Sequence, residues 1–130
     1  MKPKKQSLSR DGVPRCPTGI KGLDEVTNGG IARGKPTLVC GGAGCGKTLL
    51  ATEFLVRGAL DHGEPGVFMS FEEKAGDLSL NVRSLGFDLP SLIHSKMLCV
   101  DYARVERNEI EETGEYDLQG LFVRLAAQHL

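Results

Sequence analysis

Three short runs of near-continuous apolarity stand out along the chain: Thr37-Leu38-Val39-Cys40, Val67-Phe68-Met69-Ser70-Phe71 and Met97-Leu98-Cys99-Val100. Runs this short, without polar alternation, have the pattern of strands covered on both faces, as in a parallel sheet. Between them the apolar spacing becomes helical. Thr48 to Leu60 carries a helix pattern closed by His62-Gly63, where a glycine can take the left-handed conformation that ends a helix. Leu78, Val82 and Leu85 mark one face of a second helix, with Gly86 as its stop. Asp88-Leu89-Pro90-Ser91 can start a short helical turn. The last segment, Leu118 to Leu130, has apolar residues at 118, 121, 122, 125 and 126. It predicts an amphipathic helix with Asp117 as its N-cap.

The predicted order is strand, helix, strand, helix, strand, helix. This is an α/β chain with a parallel sheet, flanking helices and right-handed crossovers. Ahead of the first strand, the chain to about Lys35 is rich in turn residues. Within it, Thr18-Gly19-Ile20-Lys21-Gly22-Leu23-Asp24 could open a short helix that Asn28-Gly29-Gly30 would end. Residues 1–14 read as a flexible basic tail, and residues 15–130 as the folded part. Residues 106–117 form a polar, acidic connection, read as a solvated loop, with a subunit contact as the sharper alternative.

Composition sharpens this picture at a few points. The 130 residues carry a formal charge of -1 with 40% hydrophobic residues, which describes a globular chain. Glycine makes up 17 of the 130 residues, about 13% against a usual ~7%. Ten of them lie between Gly12 and Gly46, which points to loops where backbone approaches something closely. The longest stretch without an acidic or basic residue, Pro36 to Gly46, falls short of the ~20 apolar residues of a membrane span. The basic start has no apolar run behind it and is not a secretory signal. Cys16, Cys40, Cys45 and Cys99 show neither metal-ligand spacing nor the density of a disulfide scaffold, so a reducing, cytoplasmic setting is expected. His62, His94 and His129 are isolated and read as structural or exposed.

Charge divides along the chain. Residues 1–60 hold ten bases and four acids, and residues 61–130 six bases and thirteen acids. The basic half could favour phosphates. Only seven aromatic residues are present and none interleaves with a basic run, so a single-strand nucleic-acid platform is disfavoured.

The first apolar run leads directly into Gly41-Gly42-Ala43-Gly44-Cys45-Gly46-Lys47-Thr48, which matches G-x-x-x-x-G-K-[ST] in full between a predicted strand and a predicted helix. Glycines let several backbone N–H groups surround phosphate oxygens without side-chain clashes. The helix N-terminus adds partial positive charge. Lys47 supplies a mobile cation for β- and γ-phosphates, and Thr48 offers its hydroxyl to Mg²⁺. The candidate cofactor contacts are therefore Gly41, Gly42, Ala43, Gly44, Cys45, Gly46, Lys47, Thr48 and Leu49, with Thr48 also the metal candidate. Cys45 reads as a small filler of the loop, against a redox-switch alternative.

Glu72 and Glu73 directly follow the second predicted strand. Ligands of open parallel sheets sit beyond the carboxyl ends of strands, and hydrolysis needs a group that orients water against the γ-phosphate. Neighbours on extended chain point opposite ways, so one of the two would reach that water. Ser70-x-x-Glu73 is equally a capping box, with acids in a first helical turn. The residues alone leave both readings open.

Together, Thr18 to Asp24, Gly29-Gly30, Gly41 to Thr48 and Gly63-Glu64-Pro65-Gly66-Val67-Phe68-Met69-Ser70-Phe71-Glu72-Glu73 resemble the amino-terminal half of the KaiC family, circadian-clock ATPases and autokinases of the RecA superfamily. The likeness runs from about Arg15 to Leu130. Recombinases share the phosphate loop but not so closely the Glu-Pro-Gly to Phe-Glu-Glu stretch. The resemblance implies a P-loop, RecA-like fold and a preference for ATP. It implies that Lys47 and Thr48 contact ATP and Mg²⁺, and that Glu72 and Glu73 are paired catalytic glutamates. It further implies hexameric rings with ATP between subunits, clock or signalling partners, and serine/threonine autokinase activity in full-length, two-domain members.

A RecA-type core needs a further strand ending in Asp, the Walker B position, expected just after Leu130. The chain therefore reads as the front part of a larger domain, truncated before that strand. Its expected function is ATP binding within a KaiC-like ATPase. The alternatives are a non-catalytic nucleotide-binding or assembly module, and a RecA- or RadA-like recombination ATPase.

Overall fold

The computed structural model describes residues 12–104, together with Gly120, Val123, Ala126 and Ala127. The chain divides into two compact units, Met1–Gly63 and Glu64–Leu130.

The first unit begins with strand β1 (Arg15–Cys16), helix α1 (Leu23–Val26) and strand β2 (Ile31–Ala32). β1 and β2 pair antiparallel, Arg15 opposite Ala32 and Cys16 opposite Ile31. This small ladder has no counterpart in the hydrophobic pattern. Two residues per strand are too few to show a period, and the pairing is a matter of backbone approach. Gly30 has φ 119°, and a Cβ there would run into the carbonyl of Cys16. Only glycine fits this crossing. The α1 turn is tied to the chain before it by Asp24. Its Oδ1 accepts from the Thr18 N–H (2.8 Å) and the Thr18 hydroxyl (2.6 Å), and its Oδ2 from the Gly19 N–H (3.0 Å). Burial, the largest single influence on this carboxyl, pushes its pKa up. The bonds from Thr18 and Gly19, with the nearby His62 charge, outweigh it and hold the group below the ordinary 3.8.

Helix α2 (Lys47–His62) fills the rest of the unit's regular structure and buries Thr52, Val56 and Ala59. These positions recur at four- and three-residue steps and so form one face. Glu53 and Arg57 make an i,i+4 ion pair at 3.6 Å. The loop after β1 lies against this helix, because a Cβ at Gly19 would come within 2.7 Å of Arg57 Cβ. Gly63, at φ 62°, closes α2 with its N–H on the Gly58 carbonyl, as the His62-Gly63 signal predicts.

The expected first strand is not formed. Thr37–Cys40 carries no strand pairing among the described residues. Leu38 is 86% and Val39 49% exposed, where burial on both faces was expected. The reason is one of partners. A strand covered on both faces needs laddered neighbours, and here β1 pairs with β2 and the two later strands pair with each other.

The second unit is a crossover. Strand β3 (Gly66–Ser70) is followed by helices α3 (Ala75–Arg83) and α4 (Leu89–His94) and by strand β4 (Leu98–Tyr102). β3 and β4 pair parallel from Gly66 opposite Leu98 to Ser70 opposite Tyr102. Parallel strands require a connection of this length. The ladder continues at both ends, with Gly66 N–H on the Met97 carbonyl (2.9 Å) and Ala103 N–H on the Ser70 carbonyl (2.8 Å). The core is built from Leu78 and Val82 of α3, Leu89 and Leu92 of α4, and Leu98 of β4. Each fully buried aliphatic side chain contributes about 1.5–3 kcal/mol relative to exposure. Asp88 caps α4, its Oδ1 accepting from Ser91 N–H at 3.1 Å. Leu85 departs from the expected face: α3 ends at Arg83, and Leu85 is 48% exposed in the turn beyond it.

Among the described residues the chain is thus α/β with a small parallel sheet of two strands, where three were expected. The acidic connection 106–117 lies outside the described residues. Of the expected last helix, Gly120, Val123, Ala126 and Ala127 are described and are helical. No helix of the described residues is long and apolar enough to cross a membrane.

Candidate nucleotide-binding site

The glycine loop runs from residue 41 to residue 46, exposed throughout, and feeds directly into α2. Gly46 is the helix N-cap at φ 93°, and no side chain caps the helix start. The first i,i−4 bond of the helix is Leu50 N–H to the Gly46 carbonyl at 2.9 Å. The N–H groups of Lys47, Thr48 and Leu49 precede that bond and so have no acceptor within the helix. They give the mouth of the loop a set of donors and the positive end of a 16-residue helix dipole.

Lys47 folds back over the loop. Its Nζ donates to the Gly41 carbonyl at 2.7 Å and the Gly42 carbonyl at 2.8 Å, and lies 3.7 Å from Cys45 Sγ. The sulfur itself presses on Gly41, where an added Cβ would collide with it. A side chain at Gly41 would require the exposed Cys45 thiol to turn aside. Around Gly42, Gly44 and Gly46 a Cβ would meet nothing within 4 Å. An ammonium group donates only. A phosphate oxygen is a stronger acceptor for it than a neutral carbonyl, so the amine is poised to exchange loop carbonyls for an anion. The Thr48 carbonyl accepts from the Thr52 hydroxyl at 2.7 Å. The Thr48 hydroxyl makes no hydrogen bond among the described residues, so it fits an oxygen ligand for Mg²⁺.

Glu72 and Glu73 follow the carboxyl end of β3 in the second unit, whereas the glycine loop belongs to the first. The two glutamates differ. Glu72 is exposed and Glu73 half-buried. The Glu73 N–H donates to the Ser70 hydroxyl at 2.9 Å, which is one half of the capping box. The other half is absent among the described residues. The carboxylate of Glu73 instead accepts from Asn81 Nδ2 at 2.9 Å. The reason is register: α3 has Lys74 as its N-cap and starts at Ala75, so Glu73 precedes the helix rather than sitting in its first turn. Asn81 has no local sequence signal, since its partner lies eight residues away outside the helix.

A family model described as "ATPase: KaiC" matches residues 16–129. The chain belongs to the KaiC ATPase family. It is 58% identical over 120 residues to the circadian clock protein KaiC2 of Synechocystis sp., an alignment covering 92% of this chain and 21% of that relative. It is 40% identical over 114 residues to the circadian clock oscillator protein KaiC of Parathermosynechococcus lividus, covering 88% and 21% respectively. With the KaiC of Prochlorococcus marinus subsp. pastoris it shares 39% over 127 residues, covering 97% and 25%. The chain therefore spans about a fifth to a quarter of the length of these curated relatives. Membership in the KaiC family implies a P-loop, RecA-like fold and nucleotide binding.

Proposed function

We propose that this chain carries the ATP-binding part of a KaiC-type ATPase, together with the glutamates that serve its hydrolysis. The observation that carries the reading is the grip of Lys47 on the Gly41 and Gly42 carbonyls at the open start of α2. In this reading the loop amides and the first N–H groups of α2 hold phosphate oxygens, and Lys47 turns from the carbonyls to the β- and γ-phosphates. Thr48 offers its hydroxyl to Mg²⁺, which when bound neutralises charge shared by the β- and γ-oxygens. One carboxylate of the pair Glu72 and Glu73 orients the attacking water and takes its proton. The circadian role in the relatives' names, a ring-shaped hexamer with ATP between subunits and serine/threonine autokinase activity extend the proposal to the intact protein.

Calorimetry with ATP tests the loop. A hydrogen bond to a charged group contributes ~1.5–3 kcal/mol, so Lys47→Ala is expected to weaken ATP binding roughly 10- to 150-fold. Unchanged binding overturns the role of Lys47. Steady-state phosphate release tests the glutamates: the double substitution Glu72→Gln/Glu73→Gln keeps ATP binding and loses turnover. Full turnover in that variant removes the pair from the chemistry.

A further inference from the structure

The two glutamates after β3 are not held alike, and the difference assigns a role to a third residue. Glu73 is fixed at two points. Its N–H donates to Ser70 Oγ at 2.9 Å, and Ser70 is the buried last residue of β3. Its Oε2 accepts from Asn81 Nδ2 at 2.9 Å. A carboxylate only accepts, so the amide nitrogen of Asn81 must be the atom that faces it. Oε1 of Glu73 and the whole carboxylate of Glu72 take no hydrogen bond among the described residues. We infer that Asn81 is a positioning residue for ATP hydrolysis, holding one oxygen of Glu73 so that the other is presented in a single orientation to the reacting water. The inference rests on the catalytic reading of the glutamate pair and names the residue that organises it.

Three observations favour a positional role over a structural one. The Glu73–Asn81 bond is exposed, and exposed polar pairs contribute little to folding because water competes for both groups. Glu73 lies before the N-cap Lys74, so the bond caps no helix end. Asn81 stands in the last turn of α3, yet its side chain reaches back along the helix to a residue ahead of the N-cap rather than to the carbonyls of its own turn. Its side chain has a use there that alanine or leucine would lack. A free glutamate samples many rotamers, and ordering it at each turnover costs conformational entropy. A second residue that selects one rotamer lowers that cost, and small misplacements at a reacting centre are expensive in rate.

The test is a set of variants in the intact protein, read by steady-state ATP hydrolysis, ATP calorimetry and thermal melts. Asn81→Ala is expected to lower kcat about tenfold or more, with KM for ATP and the melting temperature unchanged. Asn81→Asp keeps the shape but sets a negative charge against Glu73, and is expected to lower kcat at least as far. In a Glu73→Gln background, Asn81→Ala is expected to have no further effect, because the two residues act through one bond. Full kcat in Asn81→Ala or in Asn81→Asp, while Glu73→Gln is inactive, overturns the role of Asn81 and leaves the glutamate reading standing. A fully active Glu73→Gln overturns the role of Asn81 and leaves Glu72 as the carboxylate that serves the water, whereas a fully active Glu72→Gln/Glu73→Gln overturns both readings. Equal, additive losses from Asn81→Ala in the wild-type and Glu73→Gln backgrounds also overturn the proposal, since they place Asn81 on a separate path.

Discussion

The two units of this chain are built by different means. The second unit encloses its own core: the crossover from β3 to β4 brings Leu78, Leu89 and Leu98 together, and each is at most 2% exposed. The first unit is held by backbone geometry and polar ties. Gly30 crosses against the Cys16 carbonyl, and Asp24 gathers three hydrogen bonds from Thr18 and Gly19. Its buried apolar residues among those described are Val56 and Ala59, both from α2, while Leu38 and Val39 stand in solvent. The difference follows from sequence distance. A βαβ crossover supplies strand, cover and second strand from one stretch of chain. The glycine loop is exposed and shaped by backbone, as suits a surface that must close around a ligand rather than around its own side chains.

Substitutions can break or sharpen this comparison, the largest effect coming from the core. Leu78→Ala is expected to cost ~2–5 kcal/mol in urea unfolding, because it removes buried methyl groups and leaves a cavity in the core. The same truncation at Leu38 is expected to change stability by less than ~0.5 kcal/mol. A Leu38→Ala loss comparable to that of Leu78→Ala would show that residues 37–40 are covered in solution and would erase the contrast between the units.

A smaller effect is expected at the α4 cap. Asp88→Ala removes the acceptor of the Ser91 N–H and is expected to cost ~1 kcal/mol, measured by the same unfolding. Asp88→Asn, which keeps an acceptor oxygen, should recover most of it.

The smallest effect is a pH dependence in the first unit. The Asp24 carboxyl is held below 3.8 in the folded chain. Its contribution to stability is therefore complete above pH 3.8 and is lost as pH falls through its lower folded value, because the unfolded chain takes up the proton first. Unfolding followed between pH 5 and pH 2 should show a stability loss that is shallower in Asp24→Asn. An identical acid profile in both proteins would remove Asp24 from the ties of the first unit.

Much of the second unit was legible before the structure. Val67 to Phe71 and Met97 to Val100 foretold strands that lie at Gly66–Ser70 and Leu98–Tyr102. Leu78 and Val82 pointed inward as their spacing predicts, and Asp88 capped the turn that Asp88-Leu89-Pro90-Ser91 suggests. These succeed because contacts in this unit join residues close in sequence, so local pattern and tertiary packing agree. Thr37 to Cys40 failed for the opposite reason. Apolar composition makes a segment fit for burial but says nothing of which strand will pair with it, and this one is left outside both sheets. The β1–β2 ladder escaped notice because two residues carry no periodicity.

At the candidate site the division is similar. Gly41 to Thr48 is a local motif, and its spacing alone places the helix start, the glycine loop and the lysine. The spacing also explains why Lys47 can turn back on Gly41 and Gly42, since a long flexible side chain on the first residue of a helix reaches its own loop. The choice between a capping box and a free carboxylate at Glu73 lay beyond the sequence. It depended on whether α3 started at Phe71, with Ser70 as its N-cap and Glu73 in the first turn, or four residues later at Ala75. With the start at Ala75, Glu73 lies outside the helix and Asn81 is its partner. Motifs whose parts are neighbours in the chain are written in the sequence. The pairing of Glu73 with Asn81 joins residues that are not neighbours, and only the packed helix brings them together.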